Sequence, residues 1–260
     1  MEILIPVLIV AAIGLVAGVI LAVCGKVFAV EVDEKVEKVR EVLPGANCGG
    51  CGFSGCDPYA EAVAKGAETT LCTAGGADTA KAIAEIMGVE AGAFVRKVAV
   101  VCCSGSKDCT KTKYDYEGLS TCAAAAMLDN GPSACRFGCI GLGDCVRVCE
   151  HDAIAVVDGV AVVDTAKCGA CGKCVAACPH GVIAVLPERT QAVACRSQDK
   201  GAVTRKVCTS GCIGCGKCVK ACESEAIVVE NFVAKIDATK CTGCGKCEEA
   251  CVVKVIHPVR

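Results

Sequence analysis

The rhythm of apolar and polar positions changes along this chain, and each change marks a different kind of element. From Ile3 to Val23 there are 21 residues without a charge and with almost nothing polar. As a helix they would extend about 30 Å, the thickness of a bilayer's hydrocarbon core. The pattern predicts a transmembrane anchor over residues 1–25. Only Met1 and Glu2 precede it, so the basic start of a signal peptide is missing. Lys26, Lys35, Lys38 and Arg40 follow it, which places the C-terminal part on the cytoplasmic face of the cell membrane. Val32, Val36, Val39 and Leu43 then recur at helical spacing among charged residues, predicting an amphipathic linker helix in 26–43 that stops at Pro44-Gly45. Helical patterns return after Asp57-Pro58 and over Asp78 to Met87. Farther on the period shortens. Ala153–Val157 and Val160–Val163 flank Asp158-Gly159, and Ala226–Val229 and Phe232–Ile236 flank Glu230-Asn231, so two β-hairpins are expected. The fold class is α+β.

Composition says what holds such short elements together. Only 3% of the 260 residues are aromatic and there is no Trp, whereas 27 are Cys. Disulfides would give scattered pairs in a secreted domain; here the thiols recur as tight C-x2-C-x2-C runs, the pattern of metal ligation. Cys168, Cys171, Cys174 and Cys178-Pro179 form a complete C-x2-C-x2-C-x3-C-P run. In two-cluster ferredoxins such a run gives three thiolates to one 4Fe–4S cluster and the fourth to its neighbour. A net charge of -2 and the lack of any long basic run argue against nucleic-acid binding.

The remaining cysteines sort by spacing. Cys48, Cys51, Cys56 and Cys72 form C-x2-C-x4-C-x15-C in a glycine-rich segment, an iron–sulfur domain over 44–95 holding cluster 1. A zinc knuckle is the rival reading of four such cysteines. Downstream, Cys122, Cys135, Cys139, Cys145, Cys149, Cys168, Cys171, Cys174 and Cys178 each recur 73 residues later, as Cys195, Cys208, Cys212, Cys218, Cys222, Cys241, Cys244, Cys247 and Cys251. This duplication predicts tandem two-cluster ferredoxin-like units over 135–190 and 191–260, after a Cys-containing connection over 96–134. The crossover rule assigns Cys149, Cys168, Cys171 and Cys174 to cluster 3. It gives Cys212, Cys215, Cys218 and Cys251 to cluster 4, and Cys222, Cys241, Cys244 and Cys247 to cluster 5. Cluster 2 has a defect, because Leu142 stands where the repeat has Cys215. Cys135, four residues before Cys139, is expected to replace it beside Cys139, Cys145 and Cys178. Five 4Fe–4S clusters follow. Cys102, Cys103, Cys109, Cys122, Cys195 and Cys208 are left to hold a sixth or to stay free, and Cys24 at the membrane edge reads as a small hydrophobe.

The segment Pro44-Gly45-Ala46-Asn47-Cys48-Gly49-Gly50-Cys51-Gly52, together with Gly138 to Cys149, Asp199-Lys200-Gly201 and the ferredoxin pairs, resembles the B subunits of Rnf-type ion-translocating ferredoxin:NAD oxidoreductases in content and order. The first segment alone is also similar to that of corrinoid iron–sulfur proteins, whose cobalamin barrel this chain is too short to include; an enzyme whose first cluster meets its substrate directly is the alternative. The resemblance implies a membrane-anchored electron carrier fed by reduced soluble ferredoxin. It implies passage onward to other membrane and peripheral subunits of a translocase, with membrane lipid around the anchor. No G-x-G-x-x-G opens a helix after a strand, so NAD is not expected to bind here, and no phosphate-binding loop for nucleotide hydrolysis is present. His151, His180 and His257 read as surface or supporting residues rather than acid–base catalysts. Lys173, Lys217, Lys220 and Lys246 beside the runs are candidates for attracting an acidic partner.

Overall fold

The structure, a computed structural model, describes residues 12, 14–20, 23 and 33–260. Residues 14–20 are helical. No helix among the described residues is long and apolar enough to cross a membrane, and the anchor expected over Ile3 to Val23 falls for the most part outside them.

Helix α1 (Glu34–Val42) starts at Asp33, whose carboxylate accepts the Lys35 N–H at 2.9 Å, and carries Glu34 and Glu37 in its first turn, where acidic groups favour the helix dipole. Helix α2 (Cys56–Ala64) begins one residue before Asp57-Pro58, since a proline in the first turn has no N–H to leave unpaired. Helix α3 (Gly76–Met87) ends on Gly88 in the left-handed conformation. These three bury Val39, Leu43, Tyr59, Val63 and Ile83 against one another. The Tyr59 hydroxyl donates to the Glu68 carbonyl at 3.0 Å, so its burial leaves no polar group unpaired.

The remainder is built from paired strands and single-turn helices. Strands β2 (Ile154–Val157) and β3 (Val160–Val163) form the first expected hairpin, and β6 (Ile227–Glu230) and β7 (Val233–Ile236) the second, with Ile154 opposite Val163 and Ile227 opposite Ile236. Asp158-Gly159 and Asn231-Phe232 have positive φ at both positions, as a two-residue type I′ turn demands. Two further antiparallel pairs join distant segments. Strand β1 (Lys97–Val101) lies along β4 (Ile183–Pro187), and β5 (Gln191–Val193) along β8 (Ile256–Pro258). Thus β1 leaves the expected connecting segment to join the first unit. Short helices complete the fold: α4 (Cys122–Met127), α5 (Asp144–Arg147), α6 (Lys173–Ala177), α7 (Gly201–Val207), α8 (Lys217–Ala221) and α9 (Lys246–Glu249). The cores are thin and largely sulfur. Cys145 and Cys174 pack with Ile154, Val182 and Ile183, and Cys212, Cys218 and Cys247 with Ile227, Val255 and Ile256.

Candidate metal centres

The first thiol group belongs to the helical domain. Cys56 opens α2, and its N–H is held by the Asn47 side chain at 2.8 Å. Cys72 is buried, which pushes its thiol up, and the neighbouring Cys51, Cys56 and Cys48 push it further. The ferredoxin units use one local device four times. A glycine in the left-handed conformation (Gly143, Gly172, Gly216 or Gly245) starts a one-turn helix whose second residue is a cysteine buried in the core. Around Cys174, burial first and then Cys168, Cys171 and Cys149 push the thiol up to about 11. Around Cys218 the neighbours are Cys212, Cys215 and Cys251; around Cys247 they are Cys241 and Cys244, with Cys222 against the same core. Backbone N–H groups aim at several sulfurs, Ala153 at Cys149, Val255 at Cys251 and Ala170 at Cys168, each at 3.4 Å. Backbone donors of this kind orient a ligating sulfur.

The irregular cysteines form two more groups, which differ from the expected ones. Cys139, Cys145 and Cys178 line one cavity, and the fourth thiol in its wall is Cys122, not Cys135. Burial, then Cys122, Cys178 and Cys174, push Cys145 up to about 11. Cys122 is brought there by α4, whose start is fixed twice: Thr121 accepts the Ala124 N–H at 3.1 Å, and both carboxylate oxygens of Asp144 take the N–H groups of Cys122 and Ala123 at 2.9 Å. Asp144 directly precedes Cys145, so one residue ties two thiols of the cavity. Cys135 lines a second cavity with Cys103, Cys195 and Cys208; Cys139 lines both. Each unit supplies an equivalent pair. Cys103 and Cys195 each lie two residues beyond a strand, β1 and β5, and Cys135 and Cys208 each lie four residues before the first cysteine of a run. The Ser104 N–H donates to the Ala194 carbonyl at 3.0 Å, joining the two strand ends.

A comparison within the molecule tests whether a cluster suits these cavities. Cys212, Cys215, Cys218 and Cys251, with unmodified ferredoxin spacing, surround an enclosed cavity. One irregular cavity likewise has four thiols in its wall, and the other has four together with Cys139, which the two share. Among the described residues no three His, Cys, Asp or Glu side chains converge closely enough to hold a single ion. The thiols of these three cavities stand around a space larger than one ion needs, which suits a cubane.

Cys102 is buried beside the Arg196 guanidinium, at 3.7 Å, and Cys109 receives the hydroxyls of Ser106 and Ser210 at 3.4 and 3.1 Å; neither lines the two irregular cavities. His180 donates through Nδ1 to the Gly138 carbonyl at 2.6 Å, His151 lies against Gly169, and His257 sits in β8. Two of the four lysines are neutralised. Lys173 pairs with Glu150 and Lys246 with Glu223, a repeated ion pair in which each glutamate stands where Pro179 follows Cys178. Lys217 and Lys220 are exposed.

Comparison with known proteins agrees with this arrangement. Residues 43–74 match the FeS family, a cluster-binding sequence, and residues 135–182 and 211–255 each match the 4Fe-4S dicluster domain. The chain is 46% identical over 238 residues to the B subunit of the Na(+)-translocating ferredoxin:NAD(+) oxidoreductase complex of Acetobacterium woodii, covering 90% of this chain and 72% of that protein. It is 45% identical to the proton-translocating counterpart of Clostridium ljungdahlii, covering 86% and 81%. It is 42% identical to the B subunit of the ion-translocating oxidoreductase complex of Methanosarcina acetivorans, covering 87% of each. The chain belongs to this family, the iron–sulfur electron-transfer B subunits of ion-translocating ferredoxin:NAD oxidoreductase complexes.

Proposed function

We propose that this protein holds six 4Fe–4S clusters and carries electrons from reduced soluble ferredoxin to its partner subunits. The observation that supports six is that Cys122 completes the wall of one irregular cavity, leaving Cys103, Cys135, Cys195 and Cys208 together around another, beside the regular cavity of Cys212, Cys215, Cys218 and Cys251. When bound, each cluster would take up and give back one electron. The chain's own part is to supply the ligands: Cys48, Cys51, Cys56 and Cys72 (set 1); Cys122, Cys139, Cys145 and Cys178 (set 2); Cys149, Cys168, Cys171 and Cys174 (set 3). Cys212, Cys215, Cys218 and Cys251 form set 4, Cys222, Cys241, Cys244 and Cys247 set 5, and Cys103, Cys135, Cys195 and Cys208 set 6.

Neighbouring thiols link the sets in a row. Cys174 of set 3 is near Cys145 of set 2, Cys103 of set 6 near Cys139 of set 2, and Cys195 of set 6 near Cys212 of set 4, whose core also holds Cys247 of set 5. The order 3–2–6–4–5 follows, and without set 6 the two ferredoxin units would be separated by a gap. At the far end Cys215 and Cys244 are the exposed ligands. Lys217 and Lys220 lie beside Cys215, so this end suits an acidic ferredoxin. The apolar run Ile3 to Val23 anchors the chain in the cell membrane as a single span, with lipid around it, the cluster region on the cytoplasmic side and NAD bound elsewhere in the complex.

Anaerobic iron and acid-labile sulfide determination tests the reading. About 24 iron atoms per chain are expected. Cys122→Ala and Cys135→Ala should each remove about 4, and the double variant about 8, because the two serve different sets. Iron unchanged in Cys122→Ala would return Cys135 to set 2 and abolish set 6.

A further inference from the structure

The row of thiol sets leaves set 1, in the helical domain, unconnected, and one glycine supplies the connection. Gly50 lies between the ligands Cys48 and Cys51. A Cβ built on it would stand 2.9 Å from Thr73 Oγ1, 3.2 Å from the Ala170 carbonyl oxygen and 3.6 Å from Cys171 Cα. The loop of set 1 therefore touches the loop of set 3 at the residue just before Cys171. Gly50 is not among the glycines with positive φ, so its backbone does not require glycine; close approach does.

The surroundings are consistent with a permanent contact. Ala170 is 4% exposed and holds φ at +54°, where the equivalent position in set 5 has Gly243. Thr73 follows the ligand Cys72, and its hydroxyl is buried with no hydrogen-bond partner among the described residues.

We infer that Gly50 is the positioning residue of an electron-transfer joint, holding set 1 against set 3 and making the helical domain the other end of the relay. The inference rests on the six-cluster reading. In each exchange one centre loses an electron and the other gains it, with no bond made and no proton moved. Electron tunnelling falls steeply with distance, so a side chain wedged between the loops acts without touching a ligand.

The test uses the full chain with its clusters loaded, reduced with dithionite, and reads iron content beside the spin–spin interaction in the EPR spectrum. The component due to sets 1 and 3 is the one that disappears in Cys51→Ala. With iron unchanged, Gly50→Ala should weaken it and Gly50→Val abolish it. Thr73→Ala, which removes the nearest obstacle, should recover part of it in Gly50→Ala. An unaltered component in Gly50→Val at full iron content overturns the joint. Should Gly50→Val lose iron, the alanine variant decides: a full component there also overturns it. Cys51→Ala with undiminished iron would instead overturn the cluster reading on which the joint depends.

Discussion

At the scale of single residues, Asp144 shows how this sequence places an irregular ligand. Its carboxylate accepts two N–H groups at the start of α4, and its side chain is only 14% exposed, so the interaction is poorly replaced by water. Asp144→Ala should cost about 1–3 kcal/mol in anaerobic denaturant unfolding, and should lower iron towards the content of Cys122→Ala. Leu142 occupies the position that Cys215 holds in the second unit. Leu142→Cys should therefore restore iron to Cys122→Ala, and failure to do so would show that the two units no longer superpose there. The regular groups of thiols were legible because their spacing is short. The place of Cys122 in the wall with Cys139 was not, since 16 residues separate them and only a folded α4 brings them together. The expectation that Cys135 joins Cys139, Cys145 and Cys178 left out its counterpart Cys208, which stands beside a second-unit run that already has four cysteines and lines a cavity with Cys135.

At the scale of elements, both hairpins followed from alternation, the second with its turn at Asn231-Phe232, one residue later than the expected Glu230-Asn231, while β1–β4 and β5–β8 did not follow. Gln191–Val193 is too short to show a period, and its partner lies 65 residues away. The two hairpin turns also differ in quality. Gly159 takes its positive φ freely, whereas Phe232, at the equivalent place, holds φ +63° only under strain. Phe232→Gly should stabilise the second unit by about 1 kcal/mol, read as a higher unfolding midpoint of the loaded protein. The Phe232 side chain is half buried, so lost packing keeps this gain below the full relief of strain.

At the scale of the whole molecule, charge is divided unevenly. Residues 191–260 carry eleven basic and seven acidic side chains, a net +4, and the preceding part carries -6. This gradient was present in the sequence, but only the fold shows that the basic part also exposes Cys215 and Cys244. Reversing Lys217 and Lys220 to Glu should raise KM for an acidic ferredoxin several-fold with kcat little changed, and the wild-type KM should rise with ionic strength. An effect confined to kcat would place ferredoxin elsewhere.

The cavity shared by Cys103, Cys135, Cys195 and Cys208 has a consequence for how the chain is made. The ligands proposed for sets 1, 2 and 3 are all present once residue 178 has been synthesised. Set 6 must wait for Cys208 and takes half its thiols from each copy of the duplicated unit. A chain ended between residues 178 and 208 should therefore load sets 1, 2 and 3 alone, with about 12 iron atoms, and carry Cys103 and Cys135 without the second half of their centre.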